Sequence, residues 1–314
     1  MQRTLILAAL ALASTTSVLA QSEVTVYGRF NASVENIERN DAKTWQLVNS
    51  ASRLGFRGVE DMGGGLSAGF QLEHGFSVDT GTATQGQQFW ARQSELHLGS
   101  KALGRVRLGN FISEAYYATA DYVSLHNHDT GTSADALYAY VGRNTNKIGY
   151  RSPAFGGVTV DAAVSLGENE PATRRSIDLA ANYTLGSLHL GAGFEKNDDV
   201  RQFAVSALYE MGAFTFGGYV QRDRDGFIVD GGNRTNVRLV GMYTVGRSEF
   251  HLNVGRAGEY SRVADTDATQ VTLGYNHHLS KRTKLYAFVT RLNDDSRTYG
   301  GDLRSVALGV RHNF

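Results

Sequence analysis

Cysteine is absent from this sequence of 314 residues, which removes a disulfide framework, thiolate metal sites and thiol catalysis together. There is no surplus of either charge: Lys+Arg and Asp+Glu each number 31, so the basic excess of a general nucleic-acid binder is missing. Beyond the first twenty residues no apolar run approaches the roughly 18 residues that a membrane-spanning helix needs. Those first residues read as a removable export signal. Arg3 supplies the positive start, Leu5–Ala13 a short apolar core, and Ser17-Val18-Leu19-Ala20 the small-residue cleavage site before Gln21. Residues 1–20 are therefore set apart, and 21–314 are expected to form the folded unit.

What is present is alternation. From Val24 to Val34 the even positions are apolar or Gly and the odd ones polar or Tyr, the mark of a strand with one greasy and one wet face. A polar loop is expected at Asn36–Ser50. Strands follow at Arg53–Arg57, Leu66–Leu72, Trp90–Leu98 and Arg105–Leu108, with a long polar loop at His74–Gln88. After a central interruption the rhythm returns at Lys147–Tyr150 and Val158–Val164. It continues through Ile177–Tyr183, Leu188–Glu195, Arg201–Tyr209, Phe214–Gln221 and Val237–Tyr243, then Phe250–Gly255, Gln270–Asn276, Lys284–Thr290 and Arg304–Phe314. Such two-residue periodicity over segments of roughly ten residues, about sixteen of them, predicts an all-β chain closed as a transmembrane antiparallel β-barrel.

Connections also alternate. Met211-Gly212, Val245–Arg247 and Leu279–Arg282 are short, whereas Gly167–Arg175, Asp223–Arg234, Glu259–Asp267 and Asn293–Asp302 are long and polar; Lys196–Asp199 is short on the long side. That asymmetry puts the short turns in the periplasm. Glycines at Gly191, Gly193, Gly217 and Gly218 are expected to relieve crowding in a curved sheet. A soluble β-sandwich would read the same strand by strand. The export signal, the even strand number, the loop asymmetry and the terminal Phe314 within a strand favour the barrel instead.

One stretch refuses the pattern. Phe111–Gly142 holds Glu114, Asp121, Asp129 and Asp135 with His126 and His128, and no Lys or Arg; Arg105 and Arg107 precede it and Arg143 follows. A loop of this length inside a tightly turned β-chain is usually functional or disordered, and it is expected here to fold inward as an acidic constriction. Parity supplies its counterpart. Leu54 and Phe56 face lipid, so Arg53 and Arg57 face the lumen; Val106 and Leu108 do the same for Arg105 and Arg107. A lipid-facing arginine at the midplane would cost about 2–4 kcal/mol. Arg92 shares parity with Leu96 and Leu98, and alternation alone would turn it outward and put Glu95 and His97 inside.

Several blocks in order resemble the sixteen-stranded, trimeric general diffusion porins of Gram-negative outer membranes. They are Val24–Gly28, Ser52–Gly58, Gly104–Gly109, Asn146–Pro153 and the terminal Phe314. The resemblance implies a water-filled channel narrowed by its third external loop, whose acids face wall arginines, and a homotrimer seated in outer-membrane lipid and lipopolysaccharide. Carried over by position, the wall arginines are Arg53, Arg92 and Arg143, with Arg57 also in place. The family's Pro-Glu-Phe-Gly-Gly turn is missing here, so the resemblance does not choose among Glu114, Asp121 and Asp129.

Guanidinium groups stay charged at any working pH. Facing carboxylates across a narrow, low-dielectric gap create a field that acts on permeating ions and dipoles. The alternative is that these arginines pair locally with loop acids and only hold the loop down. His126-Asn127-His128-Asp129 lacks the support of a metal site. Tyr27, Trp90, Tyr150, Tyr183, Tyr209, Tyr243 and Tyr275 are candidates for interfacial aromatic girdles. The expectation is an outer-membrane passive channel for ions and small hydrophilic solutes, not an enzyme, without cofactor, metal or nucleic-acid partner. Its rivals are a solute-selective channel, a barrel hydrolase with a Ser/His site, and a plugged structural barrel.

Overall fold

The computed structural model describes residues 23–84, 86, 88–126, 136–168 and 174–314; the export segment 1–20 and Asp129 lie outside them. The chain opens with β1 (Glu23–Arg39), β2 (Ala42–Asn49), β3 (Arg53–Gly63), β4 (Leu66–Gly75), β5 (Gln93–Ser100) and β6 (Gly104–Asn110). One helical turn, α1 (Glu114–Tyr116), continues into a π-helical turn, Tyr117–Asp121. The sheet resumes with β7 (Lys147–Arg151), β8 (Val158–Ser165), β9 (Ser176–Leu185), β10 (Leu188–Asn197), β11 (Val200–Met211) and β12 (Phe214–Arg224). It ends with β13 (Asn233–Val245), β14 (Ser248–Ala257), β15 (Ala268–His278), β16 (Thr283–Asn293) and β17 (Leu303–Asn313).

Apart from β2 and β3, consecutive strands pair antiparallel, and β17 returns to β1 along Arg29↔Asn313 through Arg39↔Leu303. The sheet is thus closed, which excludes the sandwich. β2 pairs with the upper half of β1 and β3 with its lower half, so the two are halves of one stave and the barrel has sixteen. The break between them is chemically satisfied: Ser52 Oγ accepts from Asn31 N at 3.0 Å and donates to Asn31 O at 3.2 Å. A side chain thereby replaces ladder bonds that a strand interior in lipid could not leave open.

Faces alternate as a barrel in lipid requires. On β11 Phe203, Val205 and Tyr209 are exposed outward, while Gln202, Ala204, Ser206 and Leu208 are buried toward the interior. On β13 Val237 and Leu239 face out and Asn236, Arg238 and Val240 face in. The apolar exterior and polar interior invert the arrangement of a soluble domain.

Three local readings are corrected. The expected loop at Asn36–Ser50 is a hairpin: β1 runs to Arg39 and β2 starts at Ala42, with Asn40 and Asp41 at φ of 47° and 69°. Positive φ at both turn positions matches the right-handed twist of the strands it joins, and polarity alone concealed it. Tyr27 is no girdle residue, because its hydroxyl donates to Glu73 Oε2 at 3.0 Å on the inner face. Gly191 and Gly193 are small for another reason than curvature. A Cβ on Gly191 would meet the Ala118 carbonyl and one on Gly193 would lie 2.7 Å from Ala115 Cα. These glycines let the helical turns after β6 lie directly on the wall.

Candidate functional site

The segment between β6 and β7 is tied to the inner face by named bonds. Asp178 on β9 accepts from the backbone N–H groups of Glu114 at 2.8 Å and Ala115 at 3.0 Å, and Ser113 caps the same turn. Ser206 Oγ donates to Ala118 O at 2.9 Å. Further along, Gln221 brackets Ala139, accepting from its N–H at 2.9 Å and donating to its carbonyl at 3.0 Å. Arg234 and Asn236 both donate to Leu137 O, at 3.0 and 2.8 Å. An apolar contact fills the space between, where Ala120, Val123 and Tyr138 pack on Ala204, Leu208, Tyr219 and Val240. Backbone polar groups in a dry interior must find partners, and the wall supplies them from β9 to β13.

The arginines stand on the opposite arc. Arg53, on β3, lies 3.5 Å from Glu73 Oε1, and Arg92 donates to the same oxygen from Nε at 2.7 Å. Both line a cavity of about 460 Å³ together with Tyr116, Tyr117, Asp121 and Glu195. Arg92 precedes β5, so the strand's alternation does not govern it. Glu95 and His97, which are in the strand, do face inward. A second cavity, of about 630 Å³, takes in Arg105, Arg107, Arg151, Glu95 and Glu114, and Tyr117 reaches both spaces.

Arg107 is held on three sides. It bonds Glu95 Oε2 at 2.7 Å, pairs with Glu114, and stacks 4.0 Å from the centre of the Phe111 ring. Arg151 Nη2 adds 3.1 Å to Glu114 Oε2, while its Nε donates to Asp161 Oδ1 at 2.6 Å. Burial pushes the Glu114 carboxyl above the usual carboxylate range, against the pull of Arg107 and Arg151. Lys147, buried beside Phe111, is paired with Asp178 at 2.7 Å. By contrast Arg57 and Arg105 have no carboxylate partner among the described residues; Arg57 lies over the Tyr27 ring at 5.2 Å.

The sequence-derived candidates thus fall into groups. Arg53 and Arg92 come together with Asp121, and Arg105 and Arg107 with Glu114. Arg143 stands apart: its guanidinium donates to the carbonyls of Leu166 at 3.4 Å and Arg174 at 3.1 Å, beside the β8–β9 connection. Asp129 and His128 lie outside the described residues. His126 packs against His251 and Phe288, and burial pushes its imidazole down to about 2. Sequence reasoning missed Arg151 and the wall carboxylates Glu73, Asp161, Asp178 and Glu195. Parity held the signal for Arg151, since Ile148 and Tyr150 face out and put Lys147, Gly149 and Arg151 inside.

A closed barrel with a greasy exterior, a polar interior and charged spaces along its axis defines a transmembrane channel of the outer-membrane type. The chain belongs to the Gram-negative porin family, which matches residues 7–297. It is 30% identical over 349 residues to outer membrane porin protein 32 of Delftia acidovorans, covering 96% of this chain and 97% of that one. The anion-selective porin from Comamonas acidovorans superposes with a TM-score of 0.80 at 27% identity, over 94% of this chain and all of that one. The trimer form of OmpT from Vibrio cholerae shares the fold, with a TM-score of 0.71 at 16% identity over 93% of this chain and 99% of that one. The protein is accordingly an outer-membrane diffusion channel.

Proposed function

We propose that the channel prefers anions, and that residues 111–142 narrow it. The carrying observation is which charge meets water. The lumen carboxylates Glu73, Glu95, Glu114, Asp161 and Glu195 are all buried, whereas Arg57 is exposed and the Arg151 side chain is 39% exposed against 2% for its partner Asp161. Carboxylates tucked behind guanidinium groups fix the arginines in place and leave positive potential at the water-filled surface. An entering anion therefore meets donors first. The similar porin described as anion-selective supports the reading.

In this reading Arg53 and Arg92 act opposite Asp121 in the upper space, and Arg57, Arg105, Arg107 and Arg151 line the lower one with Glu114. Arg143 holds the neighbouring loop, and Asp129 belongs to the narrowing segment. Three copies assemble side by side, as the trimeric relative does, and residues 1–20 are removed on export. The test is a planar bilayer separating unequal KCl concentrations. Ohmic steps with a zero-current potential of the sign set by faster chloride are expected; a potential of the opposite sign overturns the preference.

A further inference from the structure

One guanidinium ties the narrowing segment to the long-loop end of the barrel. Arg234, at the start of β13, is 1% exposed, and its nitrogens reach in three directions. Nε donates to Asp223 Oδ2 of β12 at 2.7 Å, Nη1 to the Tyr299 hydroxyl at 2.7 Å, and Nη2 to the Leu137 carbonyl at 3.0 Å. Its Cζ lies 4.8, 5.3 and 5.5 Å from the ring centres of Phe227, Tyr299 and Tyr260. Phe227 belongs to the β12–β13 connection, Tyr260 to β14–β15 and Tyr299 to β16–β17. Three long connections and the narrowing segment therefore meet at one side chain.

The connections are braced around it. Tyr260 donates to Asp223 Oδ1 at 2.8 Å and accepts from Phe227 N at 2.9 Å. Asp294 receives the backbone N–H groups of Thr298, Tyr299 and Gly301 at 3.1, 2.6 and 2.8 Å, which fixes the approach of the Tyr299 ring. Tyr299 and Ala136 pack together on the apolar cluster of Leu137, Ala257, Ala268, Leu292 and Leu303. A Cβ on Gly226 would lie 2.7 Å from Ala139 Cβ, so the β12–β13 connection rests directly on the returning leg of the segment. The first leg docks on wall strands instead, through Asp178 and Ser206. A brace for β12 and β13 needs only the bond between Arg234 and Asp223. The bonds to Tyr299 and Leu137 reach elements that the strand ladder does not join, and a planar guanidinium with donors on every edge can hold all three at once.

We infer that Arg234 is a positioning residue for conduction: it sets where the returning leg stands and couples the long connections to the width of the path. The leg's carbonyl is held from the mouth of the barrel. Loosening Tyr299, which lies outside residues 111–142, therefore shifts the leg. This role rests on the reading that residues 111–142 narrow the channel, and adds to it what holds their second half.

The full folded protein is tested by single-channel recording in planar bilayers and by liposome swelling with neutral sugars of increasing size. Tyr299→Phe removes one hydroxyl. Asp223→Leu/Arg234→Met removes both members of the buried pair, since Arg234→Met alone would strand the Asp223 carboxylate. Time spent outside the main conductance level is expected to rise about fivefold in Tyr299→Phe, the factor for one lost hydrogen bond. The double variant should exceed this and admit larger sugars. Melting temperature in detergent is read alongside. Variants that fold and melt lower, yet conduct and sieve like the wild type, would reduce Arg234 to a brace and overturn the inference. Gly191→Val, which displaces the first leg, is the reference. If it alone changes conductance, the coupling fails and the narrowing reading stands; if none of the three variants changes it, both fail.

Discussion

Arg92 donates from Nε to Glu73 Oε1 at 2.7 Å, joining a residue just before β5 to one near the end of β4. The same carboxylate receives Tyr27 and lies 3.5 Å from Arg53. One buried acid thus sets the positions of two guanidinium groups that line the upper cavity. Replacing Glu73 with Gln removes the negative charge that offsets this pair and loosens both side chains. Anion preference is expected to rise and open-channel current noise to increase. An unchanged preference would show that Arg53 and Arg92 do not act on permeating ions.

Arg107 and Arg105 differ by only two positions but not in kind. Arg107→Gln would leave Glu95 buried without its arginine and Glu114 with Arg151 alone, a loss expected to cost about 3–5 kcal/mol. Arg105, with no carboxylate partner among the described residues, should cost under about 1 kcal/mol when changed to Gln. Thermal unfolding in detergent measures both. Equal effects would mean that the pairing of Arg107 is not what steadies the loop.

The glycines on the inner face of β10 make a geometric test of the narrowing segment. A valine at Gly191 would collide with the Ala118 carbonyl, and one at Gly193 with Ala115. Because the colliding atoms are backbone, the helical turns must move off the wall. Gly191→Val is expected to alter single-channel conductance and the size cutoff for neutral sugars. A variant that folds with both quantities unchanged would place this segment away from the conducting path.

Acidification offers a reversible version. Burial raises the Glu114 carboxyl above its ordinary range, so as pH falls this group takes up its proton earlier than an exposed glutamate. The loop then loses negative charge while Arg107 and Arg151 keep theirs. Anion preference should therefore rise as pH falls, starting above the usual carboxylate range, and Glu114→Gln should remove that part of the change. Zero-current potentials measured between pH 7 and pH 4 follow it. A preference that falls on acidification would contradict the sign.

Much of this was legible before any coordinates, for a physical reason. Lipid allows only one face of each strand to be polar, so parity alone assigned Arg53, Arg57, Arg105 and Arg107 to the interior. It stopped at the strand ends. Arg92 lies one residue outside β5, and only the position of Glu73 explains where it points. Arg143 sits in a connection whose carbonyls it caps, which no periodicity reveals. The hairpin at Asn40-Asp41 was hidden because two polar residues can form either a tight turn or the start of a loop. Most of all, the carboxylates behind the arginines were not singled out. Glu73, Asp161 and Asp178 reach Arg92, Arg151 and Lys147 only through the pairing of neighbouring strands, and Glu195 accepts from Gln202 on the next strand.

The presented charge of the lumen is tested most directly by Arg57 and Arg105, which have no carboxylate partner among the described residues. Wild-type protein and the Arg57→Gln/Arg105→Gln variant are measured in the same KCl gradient across a planar bilayer. The wild type should show a zero-current potential of anion-selective sign, and the variant one shifted toward cations at similar conductance. A cation-selective wild type, or a variant whose potential does not move, would contradict it.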